Sequence, residues 1–414
     1  MVIETDPLAP ATMPSRGYKG PLAYAISCFF IWGLAYGLLD VLNKHFQDTL
    51  HVGKAQSTWL QMAYFGAYLL MSLPAGLVMQ VKGYKFGILS GLLTTAAGAF
   101  LFIPAAQAAS FPFFVGSMFV LATGLCFLET AADTYVNVLG TPDQAARRLN
   151  LAQSFNGLGT FVGPLLGASL FFNPLTTKVL GGEHRSVQVT YAVIGLAVLL
   201  FAFFLSRAHL PEVRDAEHGP AGEAAATPLA QQRHFVFGVI TQALYIGAQV
   251  GIGAFFINLV TETWPGLTAQ SGAFMLSAAM LAYLVGRFLG TALMAKIAPR
   301  TLLLAYGVIN TVLTLVVAAG VAKVSAIALV AVFFFMSIMF ATIFTLGVRE
   351  LGGATKRGAS AMVMAIGGGV LLPWPMGKIA ELYGTPAAFL LPAACFVLVA
   401  LYAWKGSELK AARP

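Results

Sequence analysis

Apolar runs too long for a soluble core recur from one end of this chain to the other. Ala328–Phe344 ("ALVAVFFFMSIMFATIF") holds no charged residue, and similar runs fill most of the sequence. A helix of roughly 20 apolar residues crosses the hydrocarbon of a bilayer. Lipid offers the backbone no hydrogen bonds, so a spanning segment must close its own, and runs of this length do so as helices. Composition agrees: 58% of the 414 residues are hydrophobic and 10% charged, against about 25% charged in a soluble domain. Mean hydropathy is +0.80. The chain is therefore expected to be an all-α membrane protein surrounded by lipid.

Hydropathy places twelve spans, at Leu22–Phe46, Ser57–Val81, Phe86–Ala106, Phe111–Leu139, Leu149–Phe172, Val189–Ser206, His234–Leu259, Gly272–Ile297, Leu302–Val321, Ser325–Gly347, Gly358–Leu382 and Ala387–Trp404. The polar residues 1–20 lack the basic start and small-residue cleavage site of a signal peptide and read as a tail, as do residues 406–414. Of the 24 Lys and Arg, 17 fall on the side that holds both termini, six on the other, and Arg287 lies inside a span. That bias predicts cytoplasmic termini in a bacterial inner membrane. It also accounts for the net charge of +8 without a nucleic-acid partner.

Residues 208–233 ("AHLPEVRDAEHGPAGEAAATPLAQQR") are polar, lack apolar periodicity and read as a linker between an N-terminal bundle, 21–207, and a C-terminal bundle, 234–405. The two halves resemble one another. A shift of 209 positions sets Arg148 on Arg357, Gly159 on Gly368, Pro164 on Pro373 and Asp40 on Gln249. A duplicated six-plus-six chain with a site at mid-membrane between the halves is the architecture of many secondary transporters.

Acids inside such spans are the chemical signal. A carboxylate at the bilayer centre costs roughly 2.5–3.5 kcal/mol on insertion scales. It must face a cavity, find a partner or carry a proton, and burial favours the protonated form of a carboxyl group. Asp40 lies in span one. Glu129, Asp133 and Asn137 follow one another at i, i+4 in "CFLETAADTYVNVLG" and share a helical face, with Thr130 and Thr134 beside them. Asp40 has Lys44 at i+4, so a static ion pair competes with a coupling role. Asp133 either adds a third acid or faces water near the cytoplasmic end. Arg287 either balances a carboxylate or serves a structural or gating role.

Amides are the second signal. Gln61, Gln153, Asn156, Gln242, Gln249 and Asn258 lie within spans, and an amide donates and accepts, which suits a hydroxylated ligand. Glue between helices is the alternative. Asn43, three residues after Asp40, joins the candidate binding residues. Trp32 and Trp374 should sit well inside their spans, either stacking on a ligand's ring or packing. "GIGAFF" and "GGG" lack the strand-to-helix context and lysine of a phosphate loop. The six histidines show no ligand spacing, so neither a metal nor another cofactor is expected beyond the proton. The three cysteines, Cys28, Cys126 and Cys395, fall in apolar runs and read as small buried hydrophobes.

The segments "YGLLDVLNKHFQ" (36–47), "LETAADTYVNVLG" (128–140), "RLNLAQSFNGLG" (148–159) and "TKRGASAMVMAIGGG" (355–369) resemble the fucose–galactose–glucose:proton symporters of the major facilitator superfamily. The resemblance covers nearly all spans. It implies two pseudo-symmetric six-helix bundles that import a monosaccharide with a proton by alternating access, and a monomer is the expected state. It assigns Asp40 and Glu129 to proton coupling, and Gln153 and Asn156 to the sugar path. The chain departs from the family where Asp133 and Thr134 replace an Asn and a Pro. A uniporter and a proton-driven drug exporter share the fold and stay open as alternatives. An intramembrane enzyme lacks a nucleophile–base pair.

Overall fold

The computed structural model describes residues 19–139, 145–210, 228–351 and 355–408. Among these, every regular element is helical. Spans one to nine are Lys19–Thr49, Trp59–Lys82, Tyr84–Gln107, Phe111–Val138, Ala145–Leu170, Glu183–Arg207, Arg233–Thr263, Ala269–Leu293 and Pro299–Ala318. Span ten runs as Ala322–Met336 and Met339–Gly347. Span eleven is Thr355–Met364, a 3-10 stretch Ala365–Val370 and Pro373–Tyr383. Span twelve is Thr385–Ala388 and Leu390–Leu401, closed by a π turn, Tyr402–Gly406.

Eleven described helices are long and apolar enough to cross a membrane, and span five with the short helix Pro174–Leu180, bent from it by 73°, makes the twelfth. Span five is the least apolar because its sequence carries Arg147, Arg148, Asn150, Gln153, Ser154 and Asn156. Most of the anticipated linker, residues 211–227, lies outside the described residues. Large exposed hydrophobics run down the sides of helices, as on span two at Leu70, Leu73, Leu77 and Val81, where lipid rather than water covers them. Twelve crossings return the chain to the face it started from, the terminal face; the other is the far face.

Glycine sets how the helices approach. A Cβ on Gly163 of span five would lie 2.7 Å from Gly37 Cα of span one, one on Gly37 would lie 2.6 Å from the Thr160 carbonyl oxygen, and one on Gly167 would lie 2.6 Å from Val41. Such a stripe of small residues brings two backbones together. The crossing repeats in the second half. Gly159 packs on Leu34, and Gly368 packs on Ala243, so both residues of the contact shift by the same 209 positions. The halves are structural repeats, not only sequence echoes.

Spans ten, eleven and twelve break where the sequence suggested continuous helices, the last at Phe389. Span ten interrupts at Ser337, and the Tyr245 hydroxyl donates to the freed Met336 carbonyl at 2.9 Å, which satisfies an acceptor that lipid would leave bare. Span eleven tightens to 3-10 over Gly367–Gly369. Gly369 there packs on Phe65 and Gly367 on Leu69, both of span two.

Candidate functional site

Asp40 lies about two-thirds of the way along span one toward the far face and is 2% exposed. Gln61 of span two donates to its Oδ1 over a long 3.5 Å, and Oδ2 has no hydrogen-bond partner. Lys44 pairs instead with Asp48 at 2.7 Å. The static Asp40–Lys44 pair that the spacing allowed is therefore not formed.

Glu129, which span four carries from the far face toward the terminal face, is half-buried with an unpartnered Oε2. It borders a crevice with Cys28, Phe29 and Trp32 of span one and Leu128 and Ala132 of its own span. Asp133 stands one turn nearer the terminal face, within electrostatic range of Glu129. The side chains of Thr134 and Asn137 lie outside the described residues.

The structure joins the two acids through Trp32 and Gln61, which the sequence singled out, and three tyrosines, which it did not. Trp32, Tyr36 and Asp40 share one face of span one by their i, i+4 spacing, and Gln61, Tyr64 and Tyr68 share one of span two. Tyr36 lies in electrostatic range of Asp40 and has its ring 6.0 Å from Tyr64. Tyr64 stacks on Tyr68 at 5.3 Å and accepts from Trp32 Nε1 at 3.2 Å. Both Tyr64 and Tyr68 interact electrostatically with Glu129. Polar side chains thus run from Asp40 to Glu129 along the surface of one half. Tyr283 of span eight faces Tyr36 from the other half, and Arg287 donates to the Tyr283 hydroxyl at 3.1 Å. Tyrosine at mid-span usually signals packing, so only the shared faces would have distinguished these from core aromatics.

The amides divide by what they touch. Gln153 and Asn156 are half-buried on span five, and Asn156 Nδ2 reaches the Phe29 carbonyl at 3.4 Å. Gln249 is half-buried on span seven. Gln242 is fully buried with both amide atoms unpartnered. Asn43 donates to the Ala254 carbonyl at 2.7 Å, and Asn258 to Gln47 at 2.6 Å; these are bridges between the halves. Trp374 is 44% exposed, on a side of span eleven with Leu371 and Lys378, and the structure does not bring it to the acids.

The polar contacts described between the halves lie at mid-depth or toward the far face. Beyond the Asn43 and Asn258 bridges, Lys54 pairs with Glu262 at 2.6 Å and donates to Thr385 at 2.8 Å. Glu381 accepts from the Ala55 backbone at 2.9 Å. Ser277 of span eight donates to the Phe161 carbonyl of span five at 2.6 Å. The Asn43–Ala254 and Gln47–Asn258 pairs are each 211 residues apart, close to the repeat shift, as expected where equivalent helices meet beside the pseudo-twofold axis. Two halves joined by polar contacts toward one face, with carboxyl groups at two depths of the first half, fit the arrangement of a site between two pseudo-symmetric bundles.

Comparison with known proteins agrees with this arrangement. The family model of the Major Facilitator Superfamily matches residues 25–372. The chain is 34% identical over 404 residues to a glucose/galactose transporter of Brucella abortus biovar 1, covering 97% of this chain and 98% of that one. It is 36% identical over 410 residues to the L-fucose-proton symporter of Escherichia coli K12, covering 94% and 93%. A crystal structure of the E. coli fucose:proton symporter FucP in the outward conformation superposes with a TM-score of 0.68 at 35% identity, over 95% of this chain and 100% of that one. An inward-facing bacterial homolog of the human lysosomal transporter Spinster, 14% identical and covered to 98% over 95% of this chain, shares the fold at a TM-score of 0.77. With the fold, the repeat and these relatives in agreement, the chain belongs to the major facilitator superfamily.

Proposed function

We propose that this protein imports a monosaccharide, a hexose or deoxyhexose of the glucose, galactose or fucose type, together with a proton by alternating access. The observation that carries the reading is the pair of acids, buried Asp40 and half-buried Glu129, at two depths of one half and linked by Trp32, Tyr36, Tyr64 and Tyr68, in a chain whose full-length relatives include sugar–proton symporters. A facilitator without coupling has no use for two costly carboxyl groups inside the bilayer. A drug exporter fits less well, because the interior offers amides and phenols that suit hydroxyl groups. Gln153, Asn156, Gln61, Gln249 and the tyrosines are the side chains we assign to the sugar. Asn43 and Asn258 we assign to closure of the far face.

With both termini in the cytoplasm of a bacterial inner membrane, the far face is periplasmic and the state described is closed to the outside. The test is uptake into proteoliposomes across a panel of hexoses, deoxyhexoses and N-acetylhexosamines, with and without an inward proton gradient. Gradient-dependent accumulation of one of these sugars is the expected result. Sugar equilibration that ignores the gradient would support a uniporter, and the absence of any sugar flux would overturn the reading.

A further inference from the structure

The glycines of "GIGAFF", which make no phosphate loop, have a position in the fold that assigns one of them a task. Gly253 of span seven lies directly against the carboxyl of Asp40. A Cβ added there would come within 3.0 Å of Asp40 Cγ and 3.3 Å of Oδ1, and closer still to Oδ2. The Oδ2 atom that meets this bare backbone is the one without a hydrogen-bond partner. One residue further on, the Ala254 carbonyl accepts from Asn43, and two turns along span one Gln47 meets Asn258. Asp40 thus belongs to the seam of contacts toward the far face, which continues to Lys54 and Glu262.

We propose that Gly253 is the positioning residue for Asp40, the seat on which its neutral carboxyl rests when the far face closes. The reasoning is steric and electrostatic. Asp40 has two side-chain torsions, and its Oδ1 is held by Gln61, so it cannot swing clear of a methyl group without losing that bond. An ionised carboxylate at the same place would present an oxygen with neither water nor counter-charge, which is costly to bury. The groups facing Asp40 supply no such charge. Span one offers the Tyr36 phenol, and its Lys44 is engaged by Asp48. Span two offers the Gln61 amide. Span seven presents a buried run from Val250 to Ile257 without a titratable side chain. Closure over Asp40 therefore selects the protonated acid, and the missing side chain at position 253 makes the selection sharp.

This inference rests on Asp40 as the coupling acid, and its test is independent of which sugar is carried. Gln56 and Tyr383 are exposed at the far-face ends of the two halves, and the native cysteines are buried. Spin labels on Gln56→Cys and Tyr383→Cys report the separation of the halves in the purified full-length protein. In that labelled background a short-distance population should dominate at acid pH and shrink as pH rises. Asp40→Asn should hold it at every pH. Gly253→Ala should replace it with a longer distance at every pH and lower sugar exchange by about tenfold, within the usual range of coupling between sites. Asp40→Ala in the Gly253→Ala background removes the carboxyl that the methyl displaces, and should restore the short distance. A Gly253→Ala protein that closes as the parent does would overturn the proposal. So would an open state that Asp40→Ala fails to relieve, since that pattern marks general damage to span seven. Failure of proton-driven uptake in the sugar panel would strike the transport reading and leave these distances to judge the seat.

Discussion

At the scale of single residues, a side chain matters here according to what it meets across a helix interface. Asp40 and Glu129 stood out in the sequence as candidates, because a carboxyl inside an apolar run is costly and must face a cavity, find a partner or carry a proton. Replacing each by its amide removes the titratable group and keeps the shape. Coupling between two ligands is typically worth 1–3 kcal/mol, or about 5–150-fold. Asp40→Asn and Glu129→Gln should therefore each lower gradient-driven accumulation in proteoliposomes by about tenfold or more. Asp133→Asn should stay within about threefold of the parent, because Glu129, not Asp133, borders the crevice beside Trp32. An equal loss in all three variants would promote Asp133 to a coupling site. The tyrosines between the acids and the seat at Gly253 were not legible. Phenols are common in apolar cores, and a glycine carries no mark of the residue that faces it from 213 positions earlier in the chain.

At the scale of elements, helix placement followed from run length, and helix interruption did not. The twelve anticipated spans agree with the helices to within a few residues at most ends. The break at Ser337 depends on a hydroxyl from Tyr245 of another span, and the 3-10 stretch of span eleven on the rings and side chains of span two that press into Gly367 and Gly369. Such tertiary causes leave no local pattern. Where glycine does set a crossing, the result is testable. Gly163 has span one against it at 2.7 Å, whereas Gly116 of span four has open space where a Cβ would go. Overpacking costs about 1–3 kcal/mol, and an isopropyl group on Gly163 has no room to relax against a backbone. Gly163→Val should lower the thermal unfolding midpoint in detergent and the yield of monodisperse protein, while Gly116→Ala should leave both unchanged or slightly raised. Equal behaviour of the two would show that the close crossing is not under steric limit.

At the scale of the whole molecule, transport depends on a balance between two packings of rigid halves, and the far-face contacts bias that balance. Relatives sharing over a third of their residues with this chain nonetheless give the outward-facing FucP structure a TM-score of only 0.68 over 95% of the chain, as expected if the halves are alike and their mutual tilt differs. The Lys54–Glu262 pair is the outermost of the bridges, with side chains 23% and 37% exposed. A pair so near water is worth no more than about 1 kcal/mol, which shifts a two-state ratio by about fivefold. Lys54 also reaches Thr385, so removing it loosens contacts to spans seven and twelve together, whereas losing Glu262 loosens one. Lys54→Glu places like charges across the seam and should move the spin-label population of the Gln56–Tyr383 pair toward the long distance by about fivefold. Glu262→Gln should move it less. Exchanging the two charges, Lys54→Glu with Glu262→Lys, should recover most of the closed population, because the pair re-forms with reversed sign. A reversed pair that stays as open as Lys54→Glu alone would place the closing force in the buried seam from Asp40 to Asn258, with the surface bridge only following it.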